Sequence, residues 1–211
     1  MSFPELHSWP ANMFYIGVDL GQKHDYTAIA VLEKENARRI NDPRLYMALA
    51  PVAPQLLLRR LERIPLGTPY PRIVDRIRSL THEPPLAGRC ALALDGTGVG
   101  APIVDMLLDS RLACDLTAVT ITGGDHASRR SWPWVSIPRR DLIAGIQLAL
   151  EKGILRIART LPEAGALRKE LVAIRADRDG AEHDDMVLAL ALACWRSNRK
   201  SVFSQGRLPG F

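Results

Sequence analysis

Asp19, Asp95 and the adjacent pair Asp184 and Asp185 each stand where an apolar run begins or ends. Asp19 closes the run in IGVDLGQKHDYTAIAVLE, Asp95 closes CALALDGTGVG, and the pair opens HDDMVLALALACW. A carboxylate at the end of a buried strand, or at the start of a buried helix, lies on the rim of a core and faces solvent. Carboxylates from such distant parts of one chain can converge on a divalent cation. Mg²⁺ and Mn²⁺ take hard oxygen donors, and few protein ligands are needed when water and substrate phosphates complete the shell. The chemistry indicated is therefore phosphate chemistry. Each position alone has an ordinary explanation: Asp-Leu-Gly and Asp-Gly are common turns, and Asp before a helix is a common N-cap. Only the combination points to a metal.

Other polar residues flank these positions. Asp25 reads as a surface turn or an outer neighbour of the acidic group, and His24 and His183 as capping or water-positioning histidines. Arg129, Arg130, Arg139 and Arg140 bracket a segment holding Trp132 and Trp134. Arginine for phosphates and tryptophan for stacking suit contact with DNA, although both tryptophans could instead tuck into a core. The chain carries 28 Lys and Arg against 23 Asp and Glu, a net charge of +5, and 23 of the 28 cations are Arg. The guanidinium fork matches phosphate oxygens, which favours a nucleic-acid partner; on charge alone a merely soluble basic surface is an equal reading, and the acidic positions have to decide between them.

The elements that must carry these residues alternate in type. Residues 14–20 and 27–32 read as a buried antiparallel hairpin, and 45–50 and 56–64 as further strands or an extended edge. Spacing of three to four predicts an amphipathic helix over 72–80 with Ile73, Ile77 and Leu80 inward and Pro71 in its first turn. The all-apolar run 90–94 reads as a central strand; a helix over 102–108 and a strand over 116–121 follow. Residues 122–138 read as a long polar loop. Helices are expected over 140–151 and 162–174, with a short apolar segment, 154–158, between them. The last helix starts near His183, is apolar all round and should be buried. This order predicts an α/β sheet with an antiparallel portion and helices on both faces. In such sheets, functional groups gather outside the carboxyl ends of parallel strands, where Asp19 and Asp95 fall.

With 211 residues and 47% hydrophobic content the chain suits one compact domain with a substantial core. We expect an N-terminal extension over 1–13, the domain over 14–198 and a flexible tail over 199–211. Cys90, Cys114 and Cys194 each lie in an apolar run with no CxxC pair, so buried reduced thiols of an intracellular protein are expected. The N-terminus has no signal-peptide pattern, and the apolar run 186–195 is too short to span a bilayer.

Five segments together, GVDLGQKHDYTAIAVLE, LERIPLGTPYPRIVDRI, ALDGTGVGAPIVDML, PRRDLIAGIQLALEKGILRIA and HDDMVLALALACW, resemble the nuclease domain of phage terminase large subunits. That family lies within the ribonuclease H-like nuclease superfamily. The resemblance spans roughly residues 14–196. It implies a ribonuclease H-like mixed sheet of five strands, the first three antiparallel, flanked by helices on both faces. It also implies metal-dependent DNA cleavage, with two Mg²⁺ or Mn²⁺ ions, in a phage or prophage protein of the bacterial cytoplasm. Residue by residue, it implies catalytic and metal-ligating roles for Asp19, Asp95, Asp184 and Asp185, with Asp185 favoured as the more direct ligand. DNA is the implied partner, with a separate packaging ATPase, a small terminase subunit or a portal as possible further partners. Two departures stand out. No Gly-x-x-x-x-Gly-Lys-Ser/Thr phosphate loop occurs, so this chain carries no motor of that kind, and the stretch 175–183 is shorter than the insertion many relatives place there. Within the nuclease class the alternative is a Holliday-junction resolvase-like nuclease; from other classes they are a non-cleaving DNA-binding packaging subunit and an actin-like or sugar-kinase ATPase, a fold that usually needs two such subdomains.

Overall fold

The computed structural model describes residues 12–21, 25–35, 54–98, 100–129, 131–176 and 184–199. Among these residues, eight strands form one sheet: β1 (Met13–Asp19), β2 (Thr27–Glu35), β3 (Gln55–Ile64), β4 (Cys90–Asp95), β5 (Cys114–Thr122), β6 (Ser128–Arg129), β7 (Trp134–Pro138) and β8 (Leu155–Ile157). Their order is β6-β7-β5-β4-β1-β2-β3-β8. β1, β2 and β3 are mutually antiparallel, while β4 runs parallel to β1 and β5 parallel to β4. These five are the strands expected from the sequence, in a ribonuclease H-like mixed sheet. The other three extend its edges: β7 pairs with β5, β6 with β7, and β8 with β3. The segment expected as a loop over 122–138 thus carries two strands. The expected strand at 45–50 lies outside the described residues.

Among the described residues, five helices cover the sheet: α1 (Tyr70–Thr81), α2 (Gly100–Asp109), α3 (Arg139–Glu151), α4 (Ala164–Ala176) and α5 (Asp185–Ser197). Because side chains alternate along a strand, each strand feeds two cores. Phe14, Ile16 and Val18 of β1 join Leu92 and Leu94 of β4 under α1 and α2. Tyr15 of β1 and Ala91 and Ala93 of β4 face the other way, toward α3, α4 and α5. The same alternation places Asp19 and Asp95, one step beyond each strand's last apolar residue on that side, on the α5 face.

Helix α5 is the centre of this second layer. Every residue but Trp195 is buried, because the helix lies on β1, β2 and β4 and is flanked by α3 and α4. Its seat is made by small residues. A Cβ at Gly17 would stand 1.9 Å from the Ala189 carbonyl oxygen and 2.6 Å from the Ala193 nitrogen, so helix and strand backbones touch there. The far end of α5 is tied to β5 by a buried ion pair between Arg196 and Asp115. Cys90, Cys114 and Cys194 are all free thiols, the first and last buried. Burial pushes the Cys194 thiol up to about 12.

Candidate active site

The position of Asp185 follows from the register of α5 on β1. Asp185, Ala189 and Ala193 recur every four residues and so share one helical face, the face seated on Gly17. One helical turn back from Ala189 is Asp185, about 6 Å along the helix. Two residues on from Gly17 is Asp19, about 7 Å along the strand. The two steps run in the same direction, which brings Asp185 over Asp19. β4 lies beside β1, with Val18 registered against Leu94, so Asp95 ends its strand alongside Asp19.

The electrostatics record this convergence. Burial pushes the Asp19 carboxyl well above the usual carboxylate range, and the charges of Asp95 and Asp185 push it further in the same direction. Asp19 and Asp95 are also within hydrogen-bonding reach of each other. Asp95 is raised by burial too, against the pull of hydrogen bonds from Thr97. The Thr97 backbone N–H donates to Asp95 Oδ1 at 2.9 Å and the Thr97 hydroxyl at 2.6 Å. That hydroxyl also accepts the Ile121 N–H at 2.9 Å, tying the turn after β4 to β5. Asp19 and Asp95 keep partial access to solvent, whereas Asp185 is 4% exposed. Asp25, exposed beside the same strand end, adds a smaller like-charge contribution at Asp19.

The pair at the head of α5 divides. Asp185 turns toward the sheet, with Oδ2 2.9 Å from Arg63 Nη2. No hydrogen bond of good geometry reaches that buried oxygen. Asp184 stands at the N-cap position but makes no capping bond with its side chain; it is held instead by Arg139. As the side chains stand, no three His, Cys, Asp or Glu residues among the described ones are close enough to enclose a metal ion. Asp19 and Asp95 form a pair, and Asp185 faces them from the helix while engaged by Arg63.

Residues beyond the expected set complete the surroundings. Arg63 on β3 binds both Asp185 and Glu170 of α4, and its guanidinium lies 4.8 Å from the centre of the Tyr26 ring. Glu170 is buried and accepts the N–H groups of Met186 and Val187. Burial raises its carboxyl, with Arg63 opposing. Nothing in LERIP or LRKEL sets these two residues apart from an ordinary solvated face; only the fold does.

The Arg and Trp positions separate as well. Arg139 is occupied by Asp184, and Arg140 by Asp125, whose carbonyl oxygen it also reaches at 2.8 Å. Trp132 is 73% exposed. Trp134 packs its ring on Gly96, where a Cβ would meet it at 2.5 Å, so it braces the turn after Asp95. Arg129 contributes its backbone to β6. Arg130, His24 and His183 lie outside the described residues.

Among known proteins, the fold has clear counterparts. The large terminase nuclease of thermophilic phage G20c matches with a TM-score of 0.55 over 90% of this chain and 83% of that one, at 21% identity. Its magnesium-bound form matches equally well. The Mn-soaked human cytomegalovirus terminase nuclease domain matches at 14% identity and a TM-score of 0.52, covering 90% of this chain and 86% of that one. The large terminase of a second thermophilic bacteriophage matches at 10% identity and a TM-score of 0.55, over 90% of this chain but 40% of that longer one. No protein-family model matches the sequence, and no curated protein does. The fold is that of terminase nuclease domains.

Proposed function

We propose that this chain is a divalent-metal-dependent DNA endonuclease of the terminase type, with Asp19, Asp95 and Asp185 as its ligands for Mg²⁺ or Mn²⁺. The observation that carries this reading is the seating of α5 on Gly17, which brings Asp185 over the adjacent strand-end carboxylates of Asp19 and Asp95. The donor set fits a hard cation. All three residues offer carboxylate oxygens, and the buried Asp185 Oδ2, which no hydrogen bond of good geometry reaches, faces the Arg63 guanidinium at 2.9 Å. In this reading Asp184, held by Arg139, stays outside the ligand set.

Two divalent ions bound there would lower the pKa of an attacking water and stabilise charge on the leaving oxygen of a phosphodiester. The protein's own residues prepare for this. Thr97 fixes the Asp95 carboxylate through two hydrogen bonds, and Trp134 supports the turn beneath it. Burial and the like charges of Asp95 and Asp185 oppose ionisation of the Asp19 carboxyl, an opposition that a bound cation would relieve. The exposed Trp132 offers a flat apolar surface for DNA near the start of β7. The sequence holds no ATP-binding phosphate loop. A packaging ATPase would therefore be supplied by protein outside these 211 residues, and a small terminase subunit or a portal would be further partners.

The test is cleavage of supercoiled plasmid in Mn²⁺. Wild-type protein should nick or linearise it, and Asp19→Asn or Asp95→Asn should lower the rate by at least about 100-fold, since each removes a ligand. Undiminished cleavage by both variants would overturn the assignment.

A further inference from the structure

A helix that begins with Asp184 would ordinarily be capped by that residue's own carboxylate. Here Asp184 is drawn aside by Arg139 and makes no capping bond. The first N–H groups of α5 go instead to a residue of another helix: Glu170 Oε2 accepts from Met186 at 3.1 Å and from Val187 at 3.2 Å. A cap needs one oxygen. Glu170 uses both, because its Oε1 accepts from Arg63, and the same Arg63 nitrogen stands 2.9 Å from Asp185 Oδ2.

The three side chains form one buried unit joining β3, α4 and α5. Glu170 is 8% exposed at its side chain, Asp185 5% and Arg63 24%. The two halves of the unit act on different freedoms of Asp185. Glu170 fixes the height and rotation of the first helical turn through the backbone, while Arg63, stacked on Tyr26, fixes the direction of the Asp185 carboxylate. Ligating groups need such support, since an error of about 1 Å in their placement is enough to lose function.

We infer that Glu170, acting with Arg63, is the positioning residue that sets the Asp185 carboxylate for metal binding, a role beyond capping the helix. This inference rests on the metal-binding reading above. It makes Mn²⁺ affinity depend on a residue that touches no metal.

The experiment is calorimetric titration of Mn²⁺ alone into the metal-free, full-length chain, with melting temperature followed in parallel. Glu170→Gln, which is isosteric, should weaken Mn²⁺ binding about tenfold, the scale on which groups that orient a metal ligand act. In an Asp185→Asn background the same change should leave the residual Mn²⁺ affinity of Asp19 and Asp95 unaltered, because its effect passes through Asp185. A Glu170→Gln protein that melts lower but binds Mn²⁺ like wild type would reduce Glu170 to a cap and overturn the inference. Equal weakening in both backgrounds would reveal a diffuse charge effect and overturn it too. If Glu170→Gln does not fold, Arg63→Lys serves in its place: it keeps the charge but loses the planar guanidinium that stacks on Tyr26. It should weaken Mn²⁺ to a similar degree, and unchanged affinity would refute the clamp. A wild-type chain that binds no Mn²⁺ would overturn both this inference and the metal reading beneath it, and that result is read before any variant is compared.

Discussion

Gly17 lies directly beneath Ala189, with no room between strand and helix for even one carbon: a Cβ on Gly17 would meet the Ala189 carbonyl oxygen at 1.9 Å. The obstacle is backbone on both sides, so no rotamer change relieves it. Gly17→Ala should therefore lift α5 from β1 and destabilise the fold by at least about 3 kcal/mol, the upper range for overpacking a core. Thermal unfolding should show a fall of roughly 6 °C or more. Because the same contact sets Asp185 over Asp19, cleavage by whatever protein remains folded should fall as well. A Gly17→Ala chain that melts and cuts like wild type would refute the described seat of α5.

Asp19 makes a prediction whose sign depends on pH and on metal. Its carboxyl is raised in the folded chain by burial and by the neighbouring charges of Asp95 and Asp185. Below about pH 4, near the unperturbed carboxylate value, it is protonated folded and unfolded, and its contribution to stability is fully present. As pH rises through the raised folded value, ionisation in the buried site opposes folding and that stability is lost. Asp19→Asn avoids the loss. Without metal at pH 7 it should melt above wild type, and the gap should close toward pH 4. Saturating Mn²⁺ should reverse the order by stabilising wild type alone. Calorimetric scans across pH, with and without Mn²⁺, read both arms; an Asn variant less stable at neutral pH without metal would contradict them.

Asp115 anchors the opposite end of α5. It and Arg196 form a buried pair, 10% and 3% exposed at their side chains, and removing one partner strands the other charge in the core. Asp115→Ala should cost about 3–5 kcal/mol, measurable by urea unfolding. Mn²⁺ affinity of the folded fraction should stay near wild type, since the pair lies at the end of α5 away from Asp185. A loss below about 1 kcal/mol would mean the pair is not buried as described.

What the chain revealed before folding, and what it hid, follows from the range of each signal. β1, β4 and α5 announce themselves because each is a continuous apolar run bounded by an acidic residue. Trp134 and Ile137 are apolar residues of a five-residue strand that ends at Pro138, too short a pattern to separate from a loop. β8 has three residues and exists because β3 offers it an edge. Asp184 and Asp185 are chemically equal in sequence, but neighbours on a helix differ by about 100° in direction. Ala189 and Ala193 form the close-packed face with Asp185, but a third alanine at 191 keeps the sequence from singling that face out. Glu170 and Arg63 had no such marker, since each sits in a mixed polar stretch and gains its role only when β3, α4 and α5 meet.

Whether Asp19, Asp95 and Asp185 together hold divalent metal is decided by anomalous diffraction from Mn²⁺-soaked crystals. Manganese peaks should lie bounded by those three carboxylates, with Asp184 still paired to Arg139. Saturating Mn²⁺ with no peak there, or a peak ligated by other residues while the three carboxylates stay bare, would contradict that shared site.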